Sequence, residues 1–248
     1  MSNENQPNIG EDYILFHKVM TRGLAVSLQN INEFLLIGAL KKLNREGFLK
    51  YVQSFSSILH GHHLVENEKI FPYFMDKLPE VPYKRLISEH NIFKGGLQEI
   101  NTGLDHLKSE NDESKSLKLL KSGFGKIDQI WHPHIQIENT QLYGRVGSLN
   151  IDLEEMIRIQ KEYGEFFQEH TDPAYLVVPF VLYNLSPEDR AIVTKGFPEM
   201  VTKQLVPIEW KDKGHQCNHS YLNNQKIKKI EVYTKHCFSK CNHNNCNV

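Results

Sequence analysis

The sequence predicts an all-α fold, an up-and-down antiparallel four-helix bundle with additional C-terminal helices and a tail of different character. Two observations predict it. From about residue 11 to 147, apolar residues recur at helical spacing, with little Gly or Pro inside the segments and no sustained strand alternation. The turn-forming stretches between segments, LPEVP at 78–82 and SENDES at 109–114, are short. Long helices joined by short connections pack as antiparallel neighbours.

The expected bundle helices are roughly 11–29, 46–77, 82–108 and 114–146, with a shorter helical piece near 32–43. After Asn150 the chain stays helical in shorter pieces interrupted by Pro173, Pro179, Pro187 and Pro198. Ser186 followed by Pro187 is a helix start, with Ser186 as cap and Pro187 in the first turn. The apolar AYLVVPFVLY (174–183) is expected to pack on the bundle. Three regions follow: a four-helix bundle over 10–148, a helical extension over 149–213, and a tail over 214–248. That tail is rich in Asn, Lys, Cys and His, a composition that predicts disorder or an altered gene model better than a zinc knuckle.

Composition excludes several classes. With 30 acidic and 29 basic residues the formal charge is −1, and no basic run precedes residue 210, so nucleic acid is not an expected partner. The longest apolar run is too short for a bilayer and contains Pro179. The polar, acidic MSNENQPNIGED at the start has no signal-like apolar region, so a cytoplasmic location is expected. All four cysteines (Cys217, Cys237, Cys241, Cys246) lie after Lys213, so disulfides cannot hold the bundle together.

Helical phase then sorts the histidines. At about 100° per residue, His62 and Glu66 fall on the stripe defined by Val52, Phe55, Leu59 and Ile70, while His63 lies at its edge and His60 points away. On the fourth helix, His134 and Glu138 fall on the stripe of Leu120, Phe124, Ile127, Trp131 and Leu142, whereas His132 faces outward. Pro133 predicts a bend just before that pair. His17 sits among Tyr13, Met20, Leu24 and Leu28, and His90 among Tyr83, Leu86, Phe93, Leu97 and Leu104. Each bundle helix thus offers one inward histidine, and two add a glutamate one turn later. Burying six such groups without a partner costs at least several kcal/mol, and a bound cation is the simplest compensation. Imidazole with carboxylate suits Fe, Mn, Zn or Cu. Six side chains exceed the needs of one tetrahedral zinc, and two carboxylates among four histidines fit two adjacent ions. The chain contains neither Glu-x-x-His nor HExxH.

FHKVM around His17, HHLVENEKIFP at 62–72, SEHNIF around His90 and HPHIQIENTQLY at 132–143 resemble the hemerythrin-like (HHE cation-binding) family. The stretch at 178–213 resembles the helical C-terminal region of fungal-type members. The resemblance implies a non-haem di-iron centre (Fe2+/Fe3+, with Mn or Zn as alternatives) held by His17, His62, Glu66, His90, His134 and Glu138, the glutamates bridging. Its small ligands would be O2 or NO. Oxygen-carrying relatives place a second histidine four residues away on the third helix, where this chain has Leu86 and Lys94 around His90, and use His-x-x-x-x-Asp on the last, where it has Asn139. One terminal imidazole is therefore missing unless His63 or Glu89 supplies a ligand, and an open coordination site is expected in place of reversible oxygen carriage. The expected function is sensing or handling of iron, oxygen or nitric oxide. The alternatives are a di-iron enzyme of oxidase or peroxide type, for which no substrate pocket or nucleophile is visible, and a metal-free helical adaptor.

Overall fold

The computed structural model describes residues 8–37, 42–109, 112–171 and 173–210, with residues 42–44 described by backbone alone. The tail over 214–248, with its four cysteines and its expected disorder, lies outside the described residues. Helix α1 (Ile9–Ile37) is followed by α2 (Lys42–Val65), which widens into a π-helical turn (Glu66–Ile70) and closes with α3 (Phe71–Phe74). Helix α4 (Tyr83–Lys108) leads to α5 (Glu113–Ile137), a second π turn (Glu138–Tyr143) and α6 (Gly144–Val146). The four long helices pack in chain order around a ring, α1 on α2, α2 on α4, α4 on α5 and α5 back on α1, the expected antiparallel bundle.

Local chemistry explains the boundaries. Asp112 caps α5 by accepting from the Lys115 N–H at 3.1 Å, so the end of SENDES starts the helix. Two helices were expected between 11 and 43, but α1 runs unbroken to Ile37. No Gly or Pro interrupts it after Gly23, Ile31 and Phe34 continue its buried face, and the Asn30 amide donates to the Val26 carbonyl instead of capping a new start. Helix α5 runs through Pro133, and the irregularity falls one turn later, in the π turn at Glu138.

The close packing of α4 on α5 depends on glycine. A Cβ on Gly96 would meet the Gly123 carbonyl oxygen at 2.9 Å, and one on Gly123 would meet that of Gly96 at 2.5 Å. Only hydrogen allows the two backbones so near.

The C-terminal helices α7 (Leu153–Glu169), α8 (Ala174–Tyr183) and α9 (Pro187–Val193) follow, then a 3-10 turn (Thr194–Gly196) and a third π-helical segment (Val201–Glu209). Asp152 caps α7, and Ser186 caps α9 at 3.1 Å from the Asp189 N–H, as its sequence predicts. Helix α8 packs on the bundle: Phe180 is fully buried against Tyr51, whose hydroxyl donates to Asn184 Oδ1 at 2.7 Å. Among the described residues no helix is long and apolar enough to cross a membrane.

The apolar interior falls into two clusters. One gathers Met20, Phe55, Leu59, Phe93, Phe124 and Trp131, and the other Ile9, Val65, Ile70, Phe74, Leu86 and Leu142. The inward histidines and glutamates lie between them along each helix.

Candidate metal centre

The six side chains selected by helical phase converge between the two clusters. His17, Glu66, His134 and Glu138 are fully buried, and His62 and His90 are 2% and 4% exposed. They form two halves. On one side, His17 Nε2 lies 3.2 Å from His62 Nε2 and 3.3 Å from Glu138 Oε2, and His62 Nε2 lies 3.2 Å from Glu66 Oε1. On the other, His90 Nε2 lies 3.2 Å from His134 Nε2 and 3.5 Å from Glu66 Oε2, and His134 Nε2 lies 3.3 Å from Glu138 Oε1. Each carboxylate therefore turns one oxygen to each histidine pair.

The outer ring nitrogens are anchored. His17 Nδ1 donates to Asn139 Oδ1 at 2.6 Å, His90 Nδ1 to Asn67 Oδ1 at 2.9 Å, and His134 Nδ1 to Glu89 Oε2 at 2.8 Å. Amide and carboxylate oxygens only accept, so these bonds put the proton on Nδ1 and leave each neutral Nε2 bare toward the centre. His90 and His134 then face each other with lone pairs 3.2 Å apart. Glu66 Oε2 and both oxygens of Glu138 are buried with no hydrogen-bond partner. Buried polar atoms are normally satisfied, and a cluster of orphaned acceptors with bare imidazole nitrogens is a donor set that fits a cation.

Against models of known protein families, residues 12–146 match the hemerythrin HHE cation binding domain. The chain belongs to the hemerythrin HHE family. No curated protein and no solved structure matches it.

Within this HHE domain the electrostatics follow from burial. Desolvation pushes His17, His62, His63 and His90 below the usual imidazole range. Burial, then the facing Glu138 carboxylate, pushes Glu66 well up. Burial opposes ionisation of Glu138 too, but His134, His90 and His17 outweigh it and hold that carboxyl well down. His134 moves up despite its burial, because Glu138 and Glu89 both face it.

Both glutamates occupy the first position of a π turn, Glu66 in Glu66–Ile70 and Glu138 in Glu138–Tyr143. Such turns recur at functional sites because the extra residue re-aims side chains. Here the residue after each glutamate, Asn67 or Asn139, reaches a histidine on the neighbouring helix. The HHE motif is thus extended on both helices to His-x-x-x-Glu-Asn, a repeat visible in HHLVEN (62–67) and HIQIEN (134–139). Asn139, expected only as an absent aspartate, is a histidine anchor. Tyr143, not singled out from sequence, donates its hydroxyl to Glu66 Oε1 at 2.6 Å and stacks on Tyr13 at 4.8 Å. Glu89 meets the outer nitrogen of His134 and so faces away from the centre, held there by Arg85 Nε at 2.8 Å. His60 and His132 are exposed, as phase predicts, whereas His63 is buried.

Proposed function

We propose that this HHE domain holds two non-haem iron ions and senses or handles iron, oxygen or nitric oxide through an unfilled coordination position. One observation carries the reading: each of two carboxylates divides its oxygens between two histidine pairs. A single ion would use one oxygen of each and leave the other pair unengaged. Two ions would use all eight donor atoms, with Glu66 and Glu138 as bridges, and His17 with His62 and His90 with His134 as terminal ligands. Two nitrogens and two oxygens per ion leave an octahedral metal with positions to spare. Iron would supply reversible one-electron chemistry and affinity for diatomic ligands.

The chain's own residues prepare the site. Asn139, Asn67 and Glu89 fix the tautomer and aim of three histidines. The apolar clusters on both sides exclude water, and Tyr143 places a donor on one bridging oxygen. Loading relieves the orphaned acceptors, so metal occupancy and bundle stability rise and fall together. This coupling gives a soluble bundle a means of reporting metal state. Residues 10–148 form the metal-binding unit in this proposal and 149–213 its extension, of which α7 packs on α2 and α8 on α1 and α2, in a protein of the cytoplasm.

Iron content after anaerobic reconstitution, with the visible spectrum before and after air, tests the proposal. About two irons per chain and a di-ferric absorption that appears on oxidation are expected. Less than about one iron per chain, or equal retention of zinc with no iron spectrum, would reject it.

A further inference from the structure

We propose that His63 is a third imidazole ligand to the ion held by His90 and His134, which makes the two metal positions chemically unequal. The proposal rests on the two-ion reading above and extends it by a seventh side chain.

His63 is 6% exposed, and its Nε2 is buried without a hydrogen-bond partner. Its ring stacks on His90 with centroids 4.1 Å apart and planes at 23°, and on Phe93 at 4.8 Å and 15°, and it meets His134 edge-on at 6.0 Å. A phenylalanine would fill that slot without burying an unpaired nitrogen, whose desolvation is unfavourable. The nitrogen needs a reason to be there, and its surroundings supply one. One ring nitrogen from each of His63, His90 and His134 lies within 4.8 Å of the others. Two imidazoles on one ion at roughly 2.0–2.1 Å stand at most about 4.2 Å apart. The three nitrogens therefore lie within about half an ångström of the spacing that one metal allows, and a turn of the His63 ring within its stack would aim it at the same ion.

Among the described residues the opposite half has no counterpart. His62 is flanked there by Tyr13 at 5.4 Å and Phe16 at 6.3 Å, rings that offer no imidazole nitrogen. One ion would have three imidazoles and two carboxylate oxygens, the other two imidazoles and two oxygens. The less saturated ion, on the His17/His62 side, is then the one that accepts an outside ligand. Glu89 cannot serve in place of His63, since its carboxylate is engaged by His134 Nδ1 and Arg85.

The test is His63→Phe, which keeps the stacked ring and removes the nitrogen. Wild-type and variant proteins are reconstituted with iron-57, then compared by chelator competition and Mössbauer spectroscopy. Wild type is expected to hold two irons giving two distinct quadrupole doublets of equal area. In the variant, one of the two irons should be held at least about tenfold less tightly, and the doublet from the His90/His134 side should shift or disappear. The metal-free variant should melt no lower than metal-free wild type, because an orphaned polar atom has been removed. If the variant does not fold, His63→Gln, of similar bulk, is read in the same way. A folded variant that keeps both irons at wild-type affinity with an unchanged spectrum overturns the assignment of His63 alone. Wild-type protein that binds no iron overturns the two-ion reading as well.

Discussion

Replacing Asn139 by leucine gives the sharpest test of how the site is held. The side chain keeps the same number of heavy atoms and the same branch point but loses the oxygen that accepts from His17 Nδ1 at 2.6 Å. His17 is fully buried, so its N–H would lose its partner in an apolar setting, a penalty of about 1–3 kcal/mol. Asn139 itself is half-buried, so entering water recovers part of this, and about 1 kcal/mol of metal-free stability is the expected loss. For a chain of this size that is a fall of about 2–4 °C in Tm. The effect on metal should be larger, because the imidazole is no longer held in one tautomer. Losing such a partner costs about 10–100-fold in affinity, or roughly 1.4–2.8 kcal/mol. Chelator competition should show one iron weakened and the other nearly unchanged, with Asn67→Leu weakening the opposite ion through His90. Asn139→Asp, which retains the acceptor, should restore binding. If Asn139→Leu folds and holds both irons within twofold of wild type, the anchoring argument is wrong.

Chelation should lower the melting temperature: at a thousandfold excess of free metal over Kd, binding contributes about 4 kcal/mol, or roughly 8–16 °C, and calorimetry on verified metal-free protein would expose a null effect. Gly123→Ala should destabilise by about 1–3 kcal/mol, because the new methyl would sit 2.5 Å from the Gly96 carbonyl. Gly95→Ala, with open space around it, should gain about 0.5–1 kcal/mol in the same denaturant titration. Metal-free protein should lose stability as pH falls from about 7 to 5.5. His17, His62, His63 and His90 sit below their ordinary value of 6.5 when folded, so the unfolded chain binds more protons in that window and stability rises with pH. Raised Glu66 and His134 work in the opposite direction but are outnumbered, and a flat or inverted Tm against pH would contradict this balance.

Helical periodicity carried much of this architecture. The bundle helices and the inward aim of His17, His62, Glu66, His90, His134 and Glu138 follow from a 3.6-residue repeat, while the Ser186 cap follows from the chemistry of its side chain. What periodicity could not carry is equally physical. A π turn keeps the same apolar residues while adding one to the turn, so Glu66 and Glu138 read as ordinary helix and the redirection of Asn67 and Asn139 went unseen. The His17–Asn139 bond joins residues 122 apart, a distance that one helical wheel cannot represent. His63 failed for a different reason. Phase placed it at the stripe edge, but the aromatic faces of His90 and Phe93 cover that edge. The continuity of α1 past Asn30 was obscured because polar residues there suggested a break, while Ile31 and Phe34 were already buried.

The polar layer that divides the interior also divides the molecule's cooperativity. Around Phe55, Phe93 and Trp131 the chain forms one apolar block, and around Ile70, Phe74 and Leu142 a second, smaller one that includes the π turns beginning at Glu66 and Glu138. Emptied of metal, the seam between them is where backbone opening should begin, and the smaller block can fray while the larger stays shut. Filled as proposed, the same seam would be cross-linked through all four long helices, and the two blocks would become one folding unit. A change in metal state would then be transmitted as the joining or parting of two blocks at one end of the bundle, with no hinge or lid required.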